Sequence, residues 1–251
     1  LEDFQKSNYY LNQGLIWSVK AKAHLETGKI YNLMANNASY NGERKRAIGL
    51  YLKSLEAFGK INNLSKMAMA QMNIGTEYAE TGDYKKAIEW ELKSLKSKEK
   101  SGDTENIGYF YQKVGELFKD IDIDKWEYYV KKAYSLKNKP DAVKPNTLVA
   151  IYNDLGGINH KKLKYDKAYA WYDSMYCLSK EYEYDAGMST ALSNRSLVLK
   201  DEKKFDQAFK DILESIKISE KTGRKFSIIT DNIHAASILL DLNRPGEALN
   251  Y

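Results

Sequence analysis

The sequence predicts an all-α protein: a right-handed α-solenoid of antiparallel helix hairpins. Three observations carry this. Small residues recur at a period of about forty, a second small column follows twelve residues behind the first, and only three prolines interrupt 251 residues. A period in this range marks a stack of supersecondary units and has to be found before any local structure is assigned. The segments NIGTEYAETGDYKKAIEWELKSL, KVGELFKDIDIDKWEYYVKKAYSL, DLGGINHKKLKYDKAYAWYDSM, RSLVLKDEKKFDQAFKDILESI and AASILLDLNRPGEAL align. They bring Gly75, Gly115, Gly156, Ser196 and Ala236 into one column, at separations of 40, 41, 40 and 40. A further step back lands on Ala35, where Gly42 and Ala47 stand as Gly82 and Ala87 do one repeat later.

The second column reads Ala47, Ala87, Ala168, Ala208 and Ala248. Two small columns twelve residues apart imply two helices in contact, because a small residue at each crossing lets the backbones approach without a cavity. Large residues fill the flanks: Tyr78, Phe118, Leu199 and Leu239 beside the first column, and Tyr84, Tyr165 and Phe205 at the turns.

These residues resemble the tetratricopeptide repeat, whose signature has Leu-Gly with an aromatic three on, Gly-x-Tyr at the turn and Ala three after that Tyr. Ile74-Gly75, Tyr78, Gly82-Asp83-Tyr84 and Ala87 match it best. The resemblance covers almost the whole chain and rests on agreement between columns. It implies repeats over 28–67, 68–107, 108–148, 149–188 and 189–228 and a partial repeat over 229–251, in one solenoid spanning 1–251. Because the family's usual period is shorter, the extra residues must lengthen the helices or the turns. Longer-period variants occur in bacterial signalling proteins. Trp126 replaces the column alanine in the third unit, whose turn DIDIDKW has no glycine, and Pro140 and Pro145 follow, so that unit is expected to be distorted. Arg44 and Asn159 stand where the family prefers an aromatic.

Residues 1–24, with Leu11, Leu15 and Trp17 expected on one side, read as a capping helix or the second helix of a preceding unit. At the other end the register stops inside a second helix, and a further repeat or an output domain is expected beyond residue 251.

The remaining composition narrows the function. No apolar stretch approaches the ~18 residues of a membrane span; the most apolar run, Ile228 to Leu242, is broken by Asp231, Asn232 and His234. The opening residues lack a signal pattern. A cytoplasmic setting is favoured, and a periplasmic one fits if a signal segment has been removed. Cys177 is the lone cysteine, expected to be buried, which excludes an internal disulfide and a cysteine-rich zinc site. Asp120, Asp122 and Asp124 fail as a calcium loop, since Lys125 and Lys131 stand where Gly and Glu are required. His24, His160 and His234 lie on different units without paired spacing. No phosphate loop, nucleophile elbow or HExxH pattern occurs, so the reading is of a non-enzyme without metal or cofactor.

What remains is binding. In the family the resemblance points to, first helices line a concave surface that holds partners. Position by position this carries over to Asn73, Lys113, Asp154 with its neighbour Asn153, Asn194 and His234, two places before the small column. One place after it come Asn36, Thr76 and Glu116. The set describes a polar groove for a protein or peptide, in which amides can both donate to and accept from an extended backbone. The mixed charges Lys113, Glu116, Asp120 and Asp154 argue against the carboxylate clamp of some family members. A basic edge recurs at the turns, at Arg44 to Arg46, Lys85 and Lys86, Lys161, Lys162 and Lys164, Lys203 and Lys204. Asp83, Asp122, Asp166, Asp201 and Glu202 share those turns, so a solvated edge is favoured over nucleic acid or another polyanion. The leading reading is a recognition module in a bacterial regulator. A homo-oligomer joined through Ile228 to Leu242 is the structural alternative.

Overall fold

The computed structural model describes residues 2–251, and side-chain environments from Lys6 onward. Among the described residues there are helices and turns only: α1 (Glu2–Lys20), α2 (His24–Tyr40), α3 (Arg44–Lys60), α4 (Leu64–Glu80), α5 (Tyr84–Lys100), α6 (Ile107–Leu117), α7 (Ile123–Ser135), α8 (Pro145–Lys161), α9 (Tyr165–Glu181), α10 (Asp185–Asp201), α11 (Phe205–Lys221), α12 (Lys225–Asp241) and α13 (Pro245–Ala248). The run expected over 1–251 resolves into two compact units, Leu1–Val143 and Lys144–Tyr251. Both are α-solenoid segments made of hairpins.

The period of forty has a simple origin. Outside the third hairpin, α2 to α12 are 17-residue helices joined by three-residue turns, so two helices and two turns complete a repeat. The extra length relative to a shorter repeat therefore lies in both helices. Every such turn is built alike, with one residue in the left-handed region: Lys22, Gly42, Asn62, Gly82, Leu163, Glu183, Lys203, Gly223 and Asn243. The residue after it donates back to a carbonyl five places earlier, as Asp83 does to Tyr78 at 2.9 Å and Lys204 to Leu199 at 2.8 Å. This is the Schellman closure, which occupies carbonyls the helix end would leave unpaired. Hairpins start at 24, 64, 145, 185 and 225, four residues before the expected repeat starts at 28, 68, 149, 189 and 229, and the third starts at 107 against an expected 108.

Both small columns are crossing points. Ala47, Ala87, Ala168 and Ala208 are wholly buried. A Cβ built at Gly156 would lie 2.5 Å from the Tyr172 ring, and one at Gly75 would lie 2.9 Å from Glu91 Cγ. A third column ties the helices together by hydrogen bonds. Ser54, Ser94 and Ser215 each donate, at 2.8 Å, to the carbonyl oxygen of the residue 26 places earlier: Gly28, Ala68 and Ser189. All three hydroxyls are buried.

The third hairpin is shortened, as its sequence leads one to expect. α6 has 11 residues and α7 13, and Trp126 is buried where other hairpins carry alanine. The chain after α7 folds back on the start of α6: Gly108 N donates to Ala142 O at 2.8 Å, and Asn106 N to Asp141 O at 2.6 Å. Ala142 and Val143 are buried there. At Gly108 a Cβ would meet Val143 Cγ2 at 2.5 Å, so only glycine admits this return.

Two expectations need correction. Cys177 is exposed, on the outer face of α9. In α1, Leu11 and Leu15 are half-buried and Ser18 completes their face, but Trp17 is 69% exposed and stacks under the Lys20 ammonium. Positions 11, 15 and 18 share one helical face, and 17 lies off it. No helix is long and apolar enough to cross a membrane among the described residues.

Candidate functional site

In each compact unit an asparagine at the tenth position of one first helix bonds to an asparagine at the ninth position of the preceding first helix. In the first unit Asn73 Nδ2 donates to Asn32 Oδ1 at 3.1 Å, linking α4 to α2. In the second, Asn194 Nδ2 donates to Asn153 Oδ1 at 2.7 Å, linking α10 to α8. The two rungs are equivalent, each running from the tenth residue of one first helix to the ninth of the preceding one. Each leaves the tenth-residue carbonyl oxygen and one N–H outside the bond, which is the donor and acceptor set an extended peptide backbone requires.

Asn153, and not Asp154, is thus the partner of Asn194. Asp154 is buried, 4% exposed, and lies close enough to Tyr172 that burial first and its carboxylate second hold the tyrosine hydroxyl above its usual range. Its place in the groove-facing set is corrected.

The other sequence-derived residues fall into three places. Asn36 is exposed and accepts from Tyr51 Oη at 2.7 Å. His234, half-buried on α12, has an Nδ1 without a partner, and burial lowers its pKa despite Asp231. Thr76, Lys113 and Glu116 meet in one cleft of about 470 Å³ in the first unit, whose wall also includes Ala79, Glu80, Tyr84, Glu91 and Asp120. Lys113 Nζ binds Glu116 Oε2 at 2.8 Å. Burial pulls the Lys113 pKa down, and the Glu116 carboxylate more than offsets it.

Glu91 is the member that sequence reasoning missed. It is 2% exposed, its Oε2 has no hydrogen-bond partner, and its carboxyl is bonded to the Thr76 side chain. Burial raises its pKa to about 8, aided by Glu116 and opposed by Lys113. The signal was present: Tyr51, Tyr172 and Ile212 occupy the same place in other hairpins, all buried.

The turn edge is paired locally. Lys86 binds Asp83 at 2.7 Å, Arg46 binds Glu43 at 2.6 Å and Lys204 binds Glu202 at 3.1 Å. Arg44, standing where an aromatic was expected, bridges to Glu77 and Glu80 on α4. Asp122 caps α7 by accepting from Asp124 N and Lys125 N. Among the described residues no group of three His, Cys, Asp or Glu converges as a metal site would require.

No family model matches the chain, and no curated protein matches it in sequence. Solved structures do. BtubC from P. vanneervenii superposes with a TM-score of 0.76 at 15% identity, over 88% of this chain and 91% of its own. A signal transduction ATPase with numerous domains and a tetratricopeptide repeat sensor, from Pyrococcus horikoshii, gives 0.68 at 16% identity. That match covers 99% of this chain and 41% of the ATPase. NprR in complex with its cognate peptide NprX gives 0.64 at 15% identity, over 100% of this chain and 75% of NprR, a quorum sensor of B. thuringiensis. The class is therefore settled: this is an all-α protein with the tetratricopeptide-like fold.

Proposed function

We propose that the chain is a peptide-binding module and that Asn73 and Asn194 are its main contacts to the peptide backbone. The observation that carries this reading is the pair of equivalent amide rungs, Asn32 with Asn73 and Asn153 with Asn194. Holding each asparagine by one bond fixes its remaining donor and acceptor before the ligand arrives, which lowers the ordering cost of binding. NprR, which shares the fold, is solved with a bound peptide, and this supports the reading. In this reading the chain binds and does not catalyse. Its finer role is that of the sensing part of a bacterial regulator, a reading supported by the tetratricopeptide repeat sensor that the P. horikoshii signal transduction ATPase carries by its description. Asn36, Thr76, Lys113, Glu116 and His234 would then contribute side-chain contacts within their own units.

The test is selection from a randomised decapeptide library, comparing the wild type with the Asn73→Ala, Asn194→Ala double variant and with a Lys85→Glu, Lys86→Glu control. Retention lost in the first and kept in the second supports the rungs. Retention that follows the lysines opposes them. For the regulatory role, addition of the selected peptide should change the activity or partner of the native gene product, and an unchanged response would remove it.

A second reading is favoured by one observation. Phe226, Ile229, Ile233 and Leu240 form an exposed apolar stripe along α12, at 83%, 60%, 63% and 59% exposure. Self-association through that stripe would appear in sedimentation as a dimer that Ile233→Lys dissociates.

A further inference from the structure

Among the hairpins of this chain, the second has a charged residue in the slot opposite the first small column. Tyr51 and Tyr172 fill that slot with a ring, and Ile212 fills it with a branched alkyl group. The Glu91 side chain is shorter than a tyrosine and lines the cleft bounded by α4, α5, α6 and the α6–α7 turn. The hairpin thereby gives up an aromatic contact and buries a carboxyl group whose Oε2 has no hydrogen-bond partner. A buried polar atom left unpaired is costly, and a ligand group that paired with it would remove that cost.

The groups that face the cleft from each packed element are as follows. α4 brings Thr76 and Glu80, α5 brings Tyr84 and Glu91, α6 brings Lys113 and Glu116, and the following turn brings Lys119 and Asp120. Of the two ammonium groups, Lys113 is engaged by Glu116 and Lys119 lies over the Trp126 ring. Of the four carboxyl groups, Glu91 holds its proton up to about pH 8, Glu116 is paired with Lys113 and Glu80 with Arg44, so the acceptor left for a ligand cation is Glu91 itself. An anionic ligand would meet Glu80, Glu116 and Asp120 first.

We propose that this cleft is a subsite for one basic side chain, lysine or arginine, of a bound peptide, with Glu91 Oε2 as the buried acceptor that pairs with its cationic end. The inference rests on the peptide-binding reading and names which peptides the module accepts. A long aliphatic stem with a charged tip fits a cleft whose mouth carries Tyr84 and Ala79 and whose floor carries the carboxyl group. Pairing with a cation requires the ionised carboxylate, so binding expels a proton from Glu91. Affinity then rises with pH up to the free group's pKa of about 8, by at most tenfold per pH unit.

The experiment uses the full chain and a randomised decapeptide library. The expected result is selection of peptides with Lys or Arg at one fixed position. A selected peptide whose basic residue is replaced by norleucine should bind at least tenfold more weakly. In Glu91→Gln the two peptides should bind within about threefold of each other, and the rise in affinity between pH 6 and pH 8 should vanish. Glu91→Tyr, which restores the residue found in two other hairpins, guards against loss through misfolding and should behave as Glu91→Gln does. Two results would overturn the proposal and are distinct from one another. If peptides bind through Asn73 and Asn194 without any preference for a basic residue, the subsite falls and the peptide-binding reading stands. If no peptide is selected, both fall.

Discussion

Tyr51 and Glu91 hold the same place in successive hairpins, and each reaches the first helix at equivalent positions. Tyr51 Oη donates to Asn36 Oδ1 at 2.7 Å, and Glu91 is hydrogen-bonded to Thr76, forty residues after Asn36. The tyrosine fills its slot and is held there, its hydroxyl pKa pushed up to about 12 by burial and by Glu77. The glutamate leaves a cleft. From this substitution of one buried group for another follows a difference in stability as well as in binding.

Replacing Glu91 with Gln is expected to stabilise the fold, in a pH-dependent way. The group's pKa is raised from 4.5 to about 8 on folding. Folding then holds a proton that the unfolded chain releases above pH 4.5, so the wild type loses stability as pH rises from there through 8. The gap between Glu91→Gln and wild type should be small at pH 4.5 and widen to on the order of 3 kcal/mol at pH 7. Urea unfolding at several pH values measures it, and a gap independent of pH would contradict it.

The serine column should behave as three fasteners of similar strength, with one somewhat stronger. Ser54→Ala, Ser94→Ala and Ser215→Ala each remove a buried hydroxyl bonded to a carbonyl of the facing helix. Each is expected to cost about 1–2 kcal/mol in denaturant unfolding. Ser215→Ala should be the costliest, because the single Ser215 O–H is shared between the Ser189 carbonyl and the buried Asp231 carboxylate, 2.6 Å away, and both lose it.

The turns offer substitutions of opposite sign. Leu163 has φ of 55° and an exposed side chain, so Leu163→Gly should stabilise by about 1 kcal/mol. Gly82, with φ of 80°, should lose a similar amount on replacement by alanine. Thermal unfolding of the two variants checks both signs. Gly156→Ala should be worse than either, by about 1–3 kcal/mol, because its Cβ would enter the Tyr172 ring.

The hairpins were legible because two small columns can recur only where helices cross. Ala47 and Ala87 in one, and Gly75 and Gly156 in the other, sit at those crossings. The repeat boundaries were less so, since the turns that precede α2, α4 and α10 are closed by Lys22, Asn62 and Glu183, none of which is a glycine. The schooled eye looks for glycine at a left-handed position. At the site, Asn73, Asn194 and Asn153 could be found from the columns, but Asn32, the partner of Asn73, lies one step out of register and was hidden by it. Glu91 was concealed by its own charge. In the stretch WELKSLK a glutamate reads as a solvated residue, and only comparison with Tyr51, Tyr172 and Ile212 reveals the buried slot it fills.

The asparagine rungs lend themselves to a separation of binding from stability. Asn73 and Asn194 are half-buried, and each makes one side-chain hydrogen bond. Their removal should cost about 0.5–1.5 kcal/mol each. The most direct measurement is therefore a calorimetric titration of a library-selected decapeptide into the wild type and into the Asn73→Ala, Asn194→Ala variant, with the folded state of both confirmed by circular dichroism. The expected result is a loss of affinity of at least tenfold in a variant that remains folded. Equal affinity for the two proteins would contradict the assignment of these amides as the peptide contacts.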